Sequence, residues 1–395
     1  KAVRNAGHII VTNPDMLHAG ILPQHTIWTK LFENLRFVVI DEIHHYRGVF
    51  GSHLANVLRR LRRICAIYGS NPQFICCSAT IRNPKEIAER IIEKPVTLID
   101  TNGAPRGERH FLFYNPPVVN AELGIRQPSV KVASRLAGQL LANDIQTIVF
   151  ARSRLRVEVL TTYLKEAIRA RGKDANLVCG YRGGYLPNER RAIEKGIREG
   201  RVMCAISTNA LELGIDIGSL DACIMTGYSG SVASTWQQAG RAGRRSGVSL
   251  VILVASSAPL DQYMVSHPEY FLGLPPESAT VDPNNLSIAT SHIKCSAFEF
   301  PFEDGEAFGL DAESTRRILE DLATHPPGIL RHVRNRWYWS AETYPANDIS
   351  LRTAAPGNVV ILDTSRNGEV IGEVDYFAAP SEVYENAIYL HQSAQ

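Results

Sequence analysis

The sequence lacks the features that mark membrane and secreted proteins. Within its 395 residues no apolar run approaches the roughly 20 residues that span a bilayer, and the N-terminus has no signal-peptide pattern. The seven cysteines are an odd number with no Cys-x-x-Cys pair, so neither a disulfide framework nor a zinc site is indicated. The net charge is only +2, so any basic surface must be local. These absences predict a cytoplasmic protein with reduced thiols and no membrane partner.

The stretch from Phe37 to His44 carries the strongest chemical signal. Four apolar residues, three of them β-branched, predict a strand buried on both faces, and Asp41 and Glu42 follow it directly. Ligands of open α/β sheets bind at the carboxyl ends of the strands, so this pattern favours a site for a nucleotide with Mg²⁺. One carboxylate would hold the metal, usually through water, and the other would polarise the attacking water. The alternative is a surface turn that carries two acids.

Polar residues also follow two other apolar runs. Residues 8–11 predict a strand, and Thr12-Asn13-Pro14-Asp15 after them offers hydroxyl and amide groups for a phosphate-backbone contact. A helix cap is the equally weighted alternative. Residues 73–77 predict a buried strand that ends in Ser78-Ala79-Thr80. Hydroxyl groups beside the carboxylate strand would relay the state of the nucleotide, and a plain turn is the alternative.

A helix is predicted between these strands, from Ser52, which would cap its start, to Tyr68. Its apolar residues recur at helical spacing. The opposite face carries four arginines, for which a solvated surface is favoured over a nucleic-acid contact: Arg59, Arg60, Arg62 and Arg63.

A second α/β series follows a Pro- and Gly-rich region, and we expect the domain boundary near residue 115. Strands at 147–150 and 202–206 alternate with helices, which predicts a parallel doubly wound sheet. After the second of these strands, Gly214 permits close backbone approach and Asp216 can accept hydrogen bonds from ribose hydroxyls.

Two arginines follow Gln237 and Gln238 in a segment of small residues. Arg241 and Arg244 are three positions apart and share a face if the segment is helical. Guanidinium groups bind phosphate oxygens in a planar, bidentate fashion, so this pair indicates a phosphate site more strongly than a charged surface.

The last third of the chain predicts two small modules. A helix from Asp311 followed by a basic, aromatic hairpin at 328–340 resembles a winged helix. Its aromatic residues would stack on bases or, as the alternative, pack a small core. Asn367-Gly368 between two apolar runs is a strong hairpin signal. Because neither end of the chain looks natural, we expect a fragment.

The ordered set of motifs resembles superfamily-two helicases across residues 1 to about 255. The motifs that carry the resemblance are Thr12-Asn13-Pro14, Asp41-Glu42-Ile43-His44, Ser78-Ala79-Thr80, Phe150-Ala151-Arg152-Ser153, the run from Thr208 to Asp216, and Gln237 to Arg244. The phrase Gly180-Tyr181-Arg182-Gly183-Gly184-Tyr185 and the region 259–302 resemble the bacterial DEAD/DEAH-box helicases of the mitomycin-repair type. That family implies ATP-driven translocation on DNA with 3′-to-5′ polarity and a role in DNA repair.

The resemblance also implies a role for each matching residue. Asp41 would hold Mg²⁺ and Glu42 would activate the water, with Gln237 near the γ-phosphate. Arg241 and Arg244 would act as arginine fingers, and Gly214 and Asp216 would face the nucleotide. The nucleic-acid contacts would be Thr12, Asn13, Pro14, Arg152, Ser153 and Thr208. The residues that couple the two sites would be His44, Ser78 and Thr80.

The fold implied is α/β, with two RecA-like parallel-sheet domains followed by a winged-helix-like domain and the start of a β-containing domain. The expected domains are residues 1–115, without a phosphate-binding loop, then 116–280, 281–345 and 346–395. ATP and Mg²⁺ are the expected cofactors, and zinc is expected only in a missing C-terminal part.

Three departures from the family pattern are visible. No Gly-x-x-x-x-Gly-Lys-Ser/Thr loop occurs, the cysteines of the zinc domain are absent, and Ser229 stands where the family has proline. The partner is expected to be single-stranded DNA or a DNA junction. The alternatives are an RNA helicase and, because the phosphate loop is absent, a nucleic-acid-binding module without ATPase activity.

Overall fold

The computed structural model forms two compact units that do not follow the chain in simple order. One unit combines residues 1–99 with 278–395, and the other spans 100–277. The residues described are 7–104, 107–182, 185–212, 215, 217–218, 220–243, 247–326, 328–353, 358–366, 368–375 and 379–385. The boundary at 99/100 lies before the predicted position near 115, because residues 109–114 form an edge strand of the second sheet.

The first part of unit 1 is a small α/β layer. After a helical turn at Pro14–Met16 and a π-helix at Leu17–Ile21, its main elements follow in chain order. They are helix α1 (Thr29–Asn34), strand β1 (Phe37–Ile40), helix α2 (Gly48–Ile67), strand β2 (Gln73–Cys76) and helix α3 (Pro84–Ile92). Residues 8–11 are not a strand as predicted: they are irregular, and Ile9 and Val11 are exposed.

Strands β1 and β2 pair in parallel, with Ile40 opposite Cys76. The prediction that β1 is buried on both faces was wrong, because Phe37 and Val39 are 56% and 60% exposed. Side chains alternate across a strand, and none of the described elements covers the face to which these two point. The opposite face belongs to a core that includes Ile40, Leu58 and Ile87.

Unit 2 is built on a six-stranded parallel sheet with the order β3-β10-β9-β6-β8-β7. Its strands are β3 (Arg109–Tyr114), β6 (Thr147–Phe150), β7 (Val178–Tyr181), β8 (Cys204–Ser207), β9 (Ala222–Thr226) and β10 (Ser249–Val254), with a small hairpin of β4 (Val118–Asn120) and β5 (Ile125–Arg126). The helices are α4 (Ser129–Ala142), α5 (Arg154–Arg169), α6 (Pro187–Arg198), α7 (Val232–Ala239), α8 (Pro259–Ser266) and α9 (Pro268–Gly273). The predicted parallel doubly wound sheet is confirmed.

The second part of unit 1 contains the predicted winged-helix module. Its elements are helix α10 (Leu286–Glu299), strand β11 (Phe302–Glu303), helix α11 (Ala312–Thr324), strand β12 (Leu330–Val333) and strand β13 (Arg336–Trp339). The strands form an antiparallel sheet with the order β11-β13-β12. Trp337 is buried in the module's core, as the packing alternative had it, whereas Tyr338 is 39% exposed.

A second hairpin, β14 (Asn358–Asp363) with β15 (Glu369–Asp375), confirms the turn predicted around Gly368, and the short helix α12 (Ala379–Glu382) follows it. Asn367 of that turn lies outside the described residues. Within the described part of the chain, no helix has the length and apolar character needed to cross a bilayer.

The arginines of α2 do not form a solvated face, so that prediction was wrong. Arg59 and Arg60 are 4% and 0% exposed, and Arg60 forms a buried ion pair with Glu299 of α10. Arg63 pairs with Glu306 at 2.6 Å. Helix α2 therefore packs between the first layer and the winged-helix module, and its guanidinium groups bind acids that are distant in sequence.

Candidate functional site

Asp41 and Glu42 lie at the carboxyl end of the paired strands, as predicted. The ladder continues past the strand ends, because the amide of Cys77 donates to the carbonyl of Ile40 and that of Ile43 to the carbonyl of Cys77, both at 2.9 Å. The segments 41–44 and 78–80 are therefore held side by side. Glu42 has left-handed backbone, with φ of 51° and ψ of 45°, and its amide donates to Asp41 Oδ1 at 2.9 Å. A non-glycine residue in this region is strained, and such strain is common at functional sites.

His44 connects the two segments. The amide of Ala79 donates to His44 Nδ1 at 3.2 Å, so this nitrogen is an acceptor and the ring proton sits on Nε2. Desolvation, with the nearby charges of His45 and Arg47, lowers the pKa of His44 to about 4. Glu42 Oε2 lies 3.3 Å from the same Nδ1, but a neutral ring with this tautomer makes no ion pair there. The structure thus places His44 against the loop that carries Ser78 and Thr80.

The donor set at this edge fits a divalent cation. Asp41 and Glu42 offer carboxylate oxygens beside open solvent, the ligand type that Mg²⁺ prefers while it keeps several waters. The side chains of Glu42, His44 and His45 also bring three ligand atoms within 4.8 Å of one another. Asp41 and Glu42 are the residues that would hold Mg²⁺.

Asn13 and Pro14 begin a helix. Asn13 Oδ1 accepts from the amide of Met16 at 2.7 Å, and Pro14 occupies the first helical position, so the alternative of a helix cap is what the structure shows. Thr12 is exposed, and its hydroxyl donates only weakly, to the carbonyl of Asn13 at 3.4 Å. Asp15 in the same turn is paired with Arg352 at 2.7 Å.

In unit 2, Arg152 and Ser153 follow β6. Ser153 caps α5 by accepting from the amide of Arg156 at 3.3 Å. Arg152 Nη2 donates to Asp261 Oδ1 at 2.6 Å and to the carbonyl of Tyr228 at 2.7 Å. Asp261 is completely buried and also accepts from Tyr228 and Ser256. The carboxylate joins the loops after three neighbouring strands, and the sequence carried no signal for it.

Thr208 and Glu212 lie after β8. Thr208 caps a 3₁₀ turn by accepting from Ala210. Glu212 is buried, and its Oε2 accepts from Ser234 Oγ at 2.8 Å and from Gln238 Nε2 at 3.0 Å, both on α7. Glu212 was missed by sequence reasoning, although it lies inside the motif from Thr208 to Asp216.

The Arg241 guanidinium is bound to the backbone of that same motif. Its Nη2 and Nε donate to the carbonyl of Glu212 at 2.6 and 3.1 Å, and its Nη1 donates to the carbonyl of Ile215 at 2.9 Å. Gln237 is half-buried on α7. The structure therefore brings Thr208 and Arg241 together around one loop. Gly214, Asp216 and Arg244 lie outside the described residues.

Three family models match consecutive parts of the chain. Residues 1–87 match the DEAD/DEAH box helicase model, and 131–246 match the helicase conserved C-terminal domain. Residues 281–354 match the winged helix domain of the ATP-dependent helicase HRQ1. These parts of the chain are similar to the two conserved domains of DEAD/DEAH-box helicases, in the order that the motifs predicted.

Two curated relatives extend the match over the whole length of this chain. It is 55% identical over 395 residues to the uncharacterized ATP-dependent helicase YprA of Bacillus subtilis, covering 100% of this chain and 52% of the relative. It is 36% identical to the ATP-dependent helicase HRQ1 of Saccharomyces cerevisiae, and this match covers 99% of the present chain and 37% of that relative. The chain therefore spans about half or less of these curated relatives.

A solved structure supports the same assignment. The crystal structure of the DUF1998 helicase MrfA bound to DNA matches with a TM-score of 0.86 and 55% identity, covering 100% of this chain and 52% of that one. The matched models follow the chain in the order that the motifs predicted, with two RecA-like domains and a winged helix.

Proposed function

We propose that the full-length gene product is an ATP-dependent DNA helicase. The observation that carries the proposal is the contact between the Asp41-Glu42 segment and the Ser78–Thr80 loop through His44 and Ala79. Through this contact, a change at the proposed catalytic carboxylates would reach the Ser78–Thr80 loop. A related structure, of MrfA bound to DNA and AMPPNP, supports DNA and ATP as the two ligands.

In this proposal the residues of the first unit bind the metal, activate the water and couple the two sites. Mg²⁺, when bound by Asp41 and Glu42, would neutralise charge on the phosphates of ATP. Glu42 would accept the proton of the attacking water, a role that contributes about 10²- to 10⁴-fold in enzymes. His44, neutral at physiological pH, would carry the change at the carboxylates to Ser78 and Thr80.

The second unit would contribute the positive charge. Arg241 and Arg244 are proposed as arginine fingers, worth roughly 10³ to 10⁵ in rate in other phosphoryl-transfer enzymes. Gln237, Gly214 and Asp216 would contact the nucleotide. The Arg241 guanidinium also binds the backbone carbonyls of Glu212 and Ile215, so it holds these two residues of the same motif.

The nucleic-acid contacts are proposed to be Thr12, Asn13, Pro14, Arg152, Ser153 and Thr208. Asn13, Ser153 and Thr208 each cap the start of a helical segment, and the positive end of a helix attracts phosphate oxygens. We propose single-stranded DNA or a DNA junction as the substrate, with 3′-to-5′ movement and a role in DNA repair in the cytoplasm. Zinc would belong to sequence beyond this chain.

The test is ATP hydrolysis by the full-length gene product, without nucleic acid, with single-stranded DNA and with RNA. Glu42→Gln and Arg241→Ala should each abolish DNA-stimulated hydrolysis, while the exposed Glu33→Gln and Arg154→Ala serve as matched controls. Stimulation by RNA alone would select the RNA-helicase alternative. Absence of hydrolysis in the wild type would leave a nucleic-acid-binding module.

Thermal unfolding of the same variants separates two roles for Arg241. If Arg241→Ala loses hydrolysis at an unchanged Tm, its guanidinium acts on ATP directly. If the Tm falls as well, hydrolysis is lost because the Arg241 side chain no longer donates hydrogen bonds to the carbonyls of Glu212 and Ile215.

A further inference from the structure

The connecting segment, residues 277–284, joins the two units. Glu277 is the last residue of unit 2, and Ser278 is the first residue of the second part of unit 1. The segment therefore has one end in each unit. Its contacts on both sides are specific hydrogen bonds to elements that carry or directly follow the helicase motifs.

At one end, Glu277 binds the start of helix α7. Its Oε1 accepts from the amide of Val232 at 2.6 Å and its Oε2 from the amide of Ala233 at 3.0 Å. Ser231 Oγ accepts from the amide of Ser234, so these three amides at the helix start all have partners. A carboxylate here is also favoured by the helix dipole. The helix held in this way carries Gln237 and leads directly to Arg241.

At the other end, the segment lies along one face of α2. Thr280 accepts from the amide of Gly48 at 2.7 Å, and the amide of Asp282 donates to Ser52 Oγ at 2.9 Å. Asn56 Nδ2 donates to the carbonyl of Pro283 at 2.9 Å. Residues 48, 52 and 56 are each four apart, so they form one row on the helix surface.

Two further contacts fix the same end. The Asn83 side chain donates to the carbonyl of Ala279 and accepts from its amide, both at 2.9 Å. Val281 lies so close to α2 that a Cβ at Gly51 would come within 2.4 Å of its Cγ1. Asn83 follows the Ser78–Thr80 loop by three residues, and α2 follows His44 by four. Both anchors therefore adjoin the loops that carry the proposed coupling residues.

We propose that Glu277 is a positioning residue, which ties the helix bearing Gln237 to the elements that follow Asp41-Glu42 and Ser78–Thr80. Ala279 is only two residues from Glu277, a span of at most about 7 Å. Release of Ala279 from Asn83 therefore frees the backbone that holds the Glu277 carboxylate against α7. The contacts of Glu277 with α7 and of Ala279 with Asn83 therefore act together as one positioning device. Loss of the contacts at either end should make α7 more mobile.

The device can be tested by hydrogen–deuterium exchange on the full-length gene product. Asn83→Ala, a change in unit 1, should raise amide exchange in peptides covering 231–239 of unit 2 by about fivefold, the size expected for a lost capping contact. Glu277→Ala should do the same. Asn71→Ala, which removes an exposed contact to Lys94 in unit 1, is the matched control and should leave residues 231–239 unchanged. Exchange changes confined to residues 48–59 and 279–284 in Asn83→Ala would overturn the proposal.

The activity measurement rests on the proposed function. Glu277→Ala and Asn83→Ala should each lower the kcat of DNA-stimulated hydrolysis by about tenfold with little change in KM, and the double variant should be no worse than either. A merely structural role predicts additive losses and a lower Tm, and that result would also overturn the proposal. If the wild type hydrolyses no ATP, the helicase proposal fails, whereas the exchange experiment still decides whether the device exists.

Discussion

The backbone amide of Ala79 donates a hydrogen bond to Nδ1 of His44, with 3.2 Å between the two nitrogens. The bond joins the loop after β1 to the loop after β2. Because His44 is buried and neutral, the contact depends on the ring accepting a hydrogen bond rather than on a charge. Its consequences for coupling and for pH dependence can both be measured.

Replacement of His44 by alanine should uncouple the two loops. Ala79 loses its acceptor, so the stimulation of ATP hydrolysis by DNA should fall about five- to tenfold, the usual size of a coupling between two sites. The measurement is the ratio of DNA-stimulated to basal hydrolysis in the full-length gene product. His110→Ala, at an exposed histidine of unit 2, is the control. An unchanged ratio in His44→Ala would remove His44 from the coupling route.

Unit 1 should lose stability as the pH falls below neutrality. Desolvation is the main cause that lowers the pKa of five of its histidines: His18 to about 3, His44 to about 4, and also His25, His53 and His292. Unfolded histidines bind protons near pH 6.5, whereas these folded ones do so only at lower pH. Their stabilising contribution is therefore complete above pH 6.5 and is lost towards pH 3–4, by up to about 1.4 kcal/mol per pH unit for each group.

Thermal unfolding at pH 7, 6 and 5 measures this loss. The Tm of the first unit should fall at each step, and His292→Gln should reduce the dependence, because that ring is completely buried beside His53. His110→Gln, whose side chain in unit 2 is 55% exposed, should leave the dependence unchanged. A Tm that is constant from pH 7 to 5 would contradict the prediction.

Removal of only one charge of the buried ion pair between Arg60 and Glu299 should lower the free energy of unfolding of unit 1. Arg60→Met leaves the Glu299 side chain, 1% exposed, without its counter-ion, and such changes destabilise proteins by about 3–5 kcal/mol. Arg60→Met combined with Glu299→Leu should recover much of the loss, since neither charge then remains buried. Urea unfolding gives the free energies. Arg317→Met, in an exposed pair on α11, should change nothing measurable.

Arg152 should act on both stability and nucleic-acid binding. Arg152→Ala removes one donor from the buried Asp261 carboxylate and should cost unit 2 about 1–2 kcal/mol in unfolding free energy, whereas Arg154→Ala should not. Asp261→Asn disturbs the same loops without removing the guanidinium. If DNA affinity is lost in Arg152→Ala and kept in Asp261→Asn, Arg152 contacts DNA directly; equal losses would show that it only positions the loop.

Much of this molecule could be predicted from local sequence. The strand that ends in Asp41-Glu42, the helix cap at Asn13 and the hairpin at Gly368 depend on neighbouring residues only. Their patterns follow from backbone geometry and from side chains that bond within a few positions. The order of the motifs predicted the helicase models that match the chain.

Other features were decided by the tertiary structure alone. The arginines of α2 were predicted to form a solvated face, yet Arg60 is buried against Glu299, 239 positions away. Arg152 pairs with Asp261 across 109 positions, and Glu277 binds the start of α7 from the far end of the unit. A charged residue looks the same in sequence whether water or a distant acid is its partner. Only the packing of helices and strands determines which acid is near enough to replace water.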